Sequence, residues 1–208
     1  MTQLLIATNN HGKLQELVPL LSDLPFQLVT PHDLGFLLTV EETETSYAGN
    51  ARLKAEAFAQ ASGLLTLADD SGLEVDALGG APGVYSARYA GAGASDADRR
   101  ACLLRALREV PTPRPARFRC VIAIAQPGET TTYFEGVCEG EILLEERGTN
   151  GFGYDPLFFM PDCGATMAEL PSALKNQRSH RTRATQAARL FLQHRGDLGR
   201  RGQCASTA

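Results

Sequence analysis

Short unbroken apolar runs alternate with segments of helical period through the first third of this chain, and no other feature constrains its fold as tightly. Residues 3–7 read as a buried strand, Lys13 to Leu21 as a helix and Phe26 to Thr30 as a second strand. An alanine-rich helix over 45–62 is closed by Gly63, and Leu64 to Ala68 forms a third strand. Strands separated by helices predict an α/β protein. Pro19 removes a backbone donor and is expected to kink or shorten the first helix.

Farther along, Gly79-Gly80-Ala81-Pro82-Gly83 marks a turn, and Ser95 caps a helix reaching about Leu107, with Asp98 at its third position. Phe118 to Ala125 and Thr130 to Val137 read as a hairpin joined through Pro127-Gly128. After a loop over 148–156, helical patterns occupy about 172–177 and 180–193. Residues 1–195 are expected to form one domain, with a disordered tail over 196–208. A chain of 208 residues can bury a full core without metals or disulfides.

Five cysteines are scattered singly, without a C-x-x-C pair, which argues against a disulfide framework or a thiolate zinc site and for a reducing compartment. The chain enters its first strand with no basic leader, and no apolar run approaches membrane-spanning length, so a soluble cytoplasmic protein is expected. Net charge is −4 but uneven: from Ser172 onward eight Lys and Arg face one acid, Asp197, leaving an acidic body. Such a body disfavours a broad nucleic-acid surface, whereas a basic segment beside acidic loops suits a small polyanion held with a metal ion.

Five segments carry side chains suited to chemistry. Thr8-Asn9-Asn10-His11-Gly12-Lys13 lies between a strand and a helix, where outward N–H groups and the Lys13 charge can cradle phosphate; taken alone it reads first as a capped turn. Glu41-Glu42 precedes the helix in which Asn50 and Lys54, four apart, share one face; such a lysine also commonly just reaches to water. Asp69-Asp70-Ser71-Gly72 follows the third strand, at the carboxyl end where α/β proteins bind ligands, and paired carboxylates there suit Mg²⁺; an Asx turn is the alternative. In Gly151-Phe152-Gly153-Tyr154-Asp155-Pro156, glycines free the Phe152 ring to stack on a base, unless it is a core aromatic. Lys175 and Ser179-His180-Arg181 put cations at a helix start, which suggests a nearby anion or electron-rich acceptor. Together the segments suit a nucleoside triphosphate.

From Leu4 to Leu192 the chain resembles the inosine/xanthosine triphosphate pyrophosphatases, the non-canonical purine NTP pyrophosphatase family. The resemblance rests on ATNNHGK (7–13), EETETSYAGNARLKA (41–55), LADDSGLEVDALGGAPGVYSARYAG (67–91), GFGYDPLF (151–158) and SHR (179–181), in the family's order. It implies an elongated α/β fold with a central mixed sheet flanked by helices, two lobes with the active-site cleft between them, and a homodimer using Mg²⁺. The implied reaction cleaves ITP, dITP or XTP between the α and β phosphates, a house-cleaning activity on the nucleotide pool. By similarity, Thr8, Asn9, Asn10, Gly12, Lys13 and Lys54 contact the triphosphate, Asn50 and Ser71 touch substrate, and Glu42, Asp69 and Asp70 hold metal. Asp70 is the base that activates water, with Lys54 beside it as a catalytic group. Phe152, Gly153, Tyr154, Asp155, Lys175, His180 and Arg181 form the base pocket. Two departures stand out: Glu44 occupies a position where the family has glycine, and Gly49 one where it has glutamate.

Overall fold

The structure, a computed structural model, describes residues 2–35 and 38–205, with backbone alone for 197–205. In chain order its elements are β1 (Gln3–Ile6), α1 (His11–Leu21), β2 (Gln27–Val29), α2 (Tyr47–Ser62), β3 (Leu65–Val75), α3 (Asp96–Leu107), β4 (Pro115–Ala125), β5 (Thr132–Ile142), β6 (Phe158–Met160), β7 (Ala165–Thr166), α4 (Ser172–Arg178) and α5 (His180–Ala205). The strands form one mixed sheet of order β2-β1-β3-β4-β5-β6-β7. Strand β1 runs parallel to β2 and β3, while β5–β6 and β6–β7 are antiparallel.

The chain divides into two compact units: Met1–Asp70 with Cys120–Gly136 and Arg181–Ala208, and Ser71–Arg119 with Val137–His180. In the first, strand alternation sorts side chains into two apolar layers. Leu4, Ile6, Leu65, Leu67, Ile122 and Ile124 cluster with Leu17 and Leu21 of α1 and with Ala184, Ala188 and Leu192 of α5. Their neighbours Leu5, Ala7, Ala68, Ala123 and Ala125 cluster instead with Ala51, Ala55, Phe58 and Ala59 of α2. The second layer is built largely of alanines on both sides, so α2 can lie close against its strands. Ser46 caps α2, and Gly63 closes it in the left-handed conformation, its N–H donating to Ala59.

The second unit packs Leu73, Val75, Phe118, Ile142 and Phe158 from its strands against Leu103 and Leu107 of α3, with Tyr154, Met167 and Leu170 filling the same cluster. Helix α3 begins with a complete capping box between Ser95 and Asp98, as its sequence predicts.

The structure differs from the sequence reading at the following places. Strand β3 has eleven residues and runs through Asp69, Asp70 and Gly72 to Val75, so the paired acids lie inside a strand, not in a loop after it. Burial along almost its whole length favours extended backbone even where the residues are polar. Pro19 stands within the last turn of α1, which still reaches Leu21. Helix α5 passes through Gly196, where the tail was expected to begin, and continues to Ala205; residues 206–208 lie outside the described residues. The short strands β6 and β7 carry too few residues for a periodic signal, and sequence missed both. No described helix is long and apolar enough to cross a membrane.

Candidate functional site

In the first unit, alternation along β3 sends its two aspartates in opposite directions. Leu67 belongs to the α1/α5 layer and Ala68 to the α2 layer, so Asp69 continues the first series and Asp70 the second. The contacts agree with that assignment.

Asp70, nearly buried, meets two residues of α2. Asn50 Nδ2 donates to its Oδ2 at 3.2 Å, and Lys54 Nζ stands 3.7 Å from its Oδ1. The same ammonium is 2.6 Å from Glu42 Oε1. Four-residue spacing on α2 therefore gathers an amide, an ammonium and two carboxylates at one place. Asn50 Oδ1 also accepts the Glu44 N–H at 3.0 Å, which anchors the acidic segment to the helix. Burial raises the Asp70 pKa above the usual carboxylate range and the Glu42 charge adds to it, outweighing Lys54 and Lys13. Burial works against the Lys54 charge, but Asp70, Asp69 and Glu42 outweigh it and raise its pKa.

Asp69 joins a different network. Its Oδ2 meets Lys13 Nζ at 3.1 Å and both Nε and Nη2 of Arg181 at 3.1 Å. Arg181 Nη1 binds Glu16, so one guanidinium joins two carboxylates, with all three groups essentially out of water. Burial alone would raise the Asp69 pKa; Lys13, Arg181 and Lys54 reverse that and hold it well below the usual range. Asp69 Oδ1 is buried without a hydrogen-bond partner among the described residues.

Lys13 is held at the start of α1, where Asn10 Oδ1 accepts its backbone N–H at 3.1 Å and Thr8 Oγ1 accepts that of Asn10 at 3.2 Å. The 8–13 segment is thus a capped turn, whose lysine also reaches the strand carrying Asp69. Sequence placed Arg181 in the base pocket, but its described contacts put it in the Glu16–Asp69 triad. Glu16 was missed; the available signal was an acid beside Leu17 on the buried face of α1.

The two departures from the family pattern prove to be one feature. Ser46 Oγ accepts the Gly49 N–H at 3.1 Å, half of a capping box whose other half needs an acidic side chain at 49. A Cβ on Gly49 would lie 2.7 Å from Glu44 Cβ and 2.8 Å from its Cγ. The side chain at 44 thus fills the space that one at 49 would use. Gly49→Ala gains about 1 kcal/mol of helix propensity, but overpacking of this kind costs about 1–3 kcal/mol. Thermal melting should show Gly49→Ala less stable than the parent, and Glu44→Gly in the same chain should restore most of the loss. Independent, additive effects would contradict the coupling.

In the second unit, Asp155 Oδ2 accepts from the Phe152 N–H at 2.9 Å and from Lys175 Nζ at 2.5 Å. Lys175 Nζ also lies 4.9 Å from the Phe152 ring centroid, so ring, carboxylate and ammonium form one cluster with the ring partly exposed. His180, almost fully buried, stacks on Phe118 with ring centroids 4.8 Å apart. Tyr154, expected at the substrate, is instead a core residue: its ring joins the second unit's apolar cluster and its hydroxyl donates to the Ser86 carbonyl at 2.9 Å. Ser71, the first residue of this unit, is half-buried in β3.

Among the described residues, no group of three or more His, Cys, Asp or Glu is placed to hold a metal ion. The expected trio of Glu42, Asp69 and Asp70 is therefore not assembled as one ligand set, and alternation along β3 is the reason. Glu42 and Asp70 do converge on Lys54. Two carboxylates suit Mg²⁺, which keeps several waters and completes its shell with substrate phosphates.

The sequence model of the Ham1 family matches residues 4–191. A dITP/XTP pyrophosphatase of Geobacter sulfurreducens is 52% identical over 185 residues, spanning 88% of this chain and 93% of the relative. One from Listeria monocytogenes is 49% identical, spanning 88% of this chain and 91% of its own. The structure of a HAM1 protein from Coxiella burnetii superposes with a TM-score of 0.85 at 41% identity, covering 93% of this chain and all of the other.

Proposed function

On the premise that the chain belongs to the Ham1 family, we propose that it hydrolyses non-canonical purine nucleoside triphosphates, dITP, XTP and ITP, to the monophosphate and pyrophosphate. The observation that carries the reading is the cluster on α2 and β3: Asp70 held by Asn50, with Lys54 between Asp70 and Glu42. It joins a carboxylate of raised pKa to a partly buried ammonium. The relatives' names supply the substrate class.

Asp70 acts as the base. A carboxylate whose anionic form is disfavoured by burial takes a proton more readily than one in water, which suits general-base work near neutral pH. Asn50 keeps the carboxylate in one orientation, and Lys54 supplies positive charge to the phosphate. Glu42 and Asp70 would hold Mg²⁺, which neutralises phosphate charge and polarises the reacting phosphoryl group. Thr8 to Lys13 contribute to triphosphate binding, with Lys13 the full charge among them.

Phe152, Asp155 and Lys175 are assigned to the base, by stacking and by hydrogen bonds to its edge. Hypoxanthine and xanthine carry a carbonyl at C6 where adenine carries an amino group. A donor aimed there would be left unpaired against adenine, at a cost of about 1–3 kcal/mol. The same reading takes the enzyme to be cytoplasmic, in keeping with its singly scattered cysteines, and, by its resemblance to the family, a homodimer.

The test is pyrophosphate release from a panel of purine and pyrimidine triphosphates, with Mg²⁺ and with EDTA. Release from dITP, XTP and ITP above dATP and dGTP, abolished by EDTA, is the expected result. Preference for pyrimidines would redirect the substrate class, and binding without turnover would leave a nucleotide-binding module.

A further inference from the structure

Between the proposed stacking ring and its aspartate stands Gly153, in the left-handed conformation with φ +61°. A glycine there has more freedom than any other residue, so something else must fix the directions of Phe152 and Asp155. Two side chains of α3 meet this residue. The Gly153 N–H donates to Asp96 Oδ2 at 2.7 Å, and Arg100 Nη1 donates to the Gly153 carbonyl at 2.9 Å. These groups belong to the two successive peptide planes that flank the glycine Cα, so holding both restricts rotation on either side of it. Asp96 and Arg100 are four apart and share one face of the helix.

The clamp is itself supported. Asp96 pairs with Arg99, whose Nη1 donates to the carbonyls of Ala87 at 2.8 Å and Ala94 at 2.9 Å. Arg100 Nε pairs with Glu146 at 2.9 Å. Helix α3 has its own cap in the Ser95–Asp98 box, so Asp96 is not needed to start it. On the other side of the glycine, Asp155 Oδ2 takes the Phe152 N–H, and the Asp155 N–H reaches the Phe152 carbonyl at 3.2 Å.

We infer that Asp96 and Arg100 are positioning residues for base selection: by gripping the two peptides around Gly153 they preset the Phe152 ring and the Asp155 carboxylate before substrate arrives. This rests on the assignment of Phe152 and Asp155 to the base. Removing a charged hydrogen-bond partner is expected to loosen the loop without touching the reacting phosphates. The effect should therefore fall on KM and on discrimination between bases, not on kcat.

The experiment compares Asp96→Ala, Asp96→Asn and Arg100→Lys with the parent chain. Amide hydrogen exchange in the absence of nucleotide is measured alongside kcat and KM for dITP and dATP. Asp96→Ala should speed exchange at 152–155 selectively, raise KM for dITP about ten-fold with kcat retained, and narrow the dITP-to-dATP preference. Asp96→Asn keeps an acceptor for the Gly153 N–H and should stay within about three-fold of the parent. Arg100→Lys should show the same pattern as Asp96→Ala in weaker form. Unchanged exchange at 152–155 would overturn the clamp, and exchange rising equally throughout α3 would show Asp96 to be a helix-start residue only. If the parent does not turn over dITP, the proposed function fails, while the exchange measurement still judges the clamp.

Discussion

Asp70→Asn is expected to lower kcat for dITP by about 10²–10⁴-fold, the range lost when a positioned general base is removed, and to leave the fold at least as stable as the parent. The activity loss follows from geometry. Asn50 and Lys54 both address the Asp70 carboxylate, and an amide of the same shape still fits between them but cannot take a proton. Stability follows from the raised pKa. A buried carboxylate whose folded-state pKa lies above its unfolded value favours the protonated form, so its charge opposes folding at neutral pH. A neutral isostere removes that cost. Steady-state kinetics and a melting curve on the same preparation measure both. Near-normal turnover would remove Asp70 from the role of base, and a large fall in melting temperature would make its role structural.

Arg181→Met acts in the opposite way, through stability. The substitution leaves Glu16 and Asp69 buried without the guanidinium that joins them. Breaking a buried ion pair in this way costs about 3–5 kcal/mol. At about 2–4 °C per kcal/mol for a chain of this size, the melting temperature should fall by on the order of 10 °C. Removing the charges together, with Glu16→Gln and Asp69→Asn added, should recover a large part of the loss, because the penalty lies in two buried carboxylates that have lost their shared guanidinium. Acid behaviour gives a second readout. Asp69 has a depressed folded-state pKa, so its contribution is complete above the unfolded pKa of about 3.9 and is lost as pH falls from there through the lower folded-state pKa. Arg181→Met should flatten this acid-side slope. A melting temperature within 1–2 °C of the parent, by the same scaling, would show that the triad carries little stability.

The alternation of strands and helices was readable because each early element has one dominant signal. Leu4-Leu5-Ile6 is uniformly apolar because β1 is covered on both faces, and α2 carries an alanine stripe with a glycine stop. Asn50 and Lys54 were placed on one face by spacing alone, and they do meet the same carboxylate. What escaped the sequence was pairing between distant segments. Period-two alternation would have separated Asp69 from Asp70 had β3 been extended through them, but two consecutive acids followed by Ser-Gly resemble a turn. Arg181 looks like a donor at a helix start until Glu16, 165 positions earlier, is brought against it. Tyr154 sits in a glycine-rich loop, and only packing shows its ring in the core. Asp96 reads as a residue next to a cap, and its contact with Gly153 spans 57 positions. Local chemistry was legible from the sequence, whereas the partners of buried charges were not.

The proposed reaction is attack by water at the α-phosphorus of a purine triphosphate, with Asp70 as its base. Turnover of dITP with Mg²⁺ in ¹⁸O-labelled water, followed by mass analysis of both products, tests it most directly. One ¹⁸O in dIMP and none in pyrophosphate is the expected outcome. Label in pyrophosphate or in inorganic phosphate, with dIMP unlabelled, would contradict it.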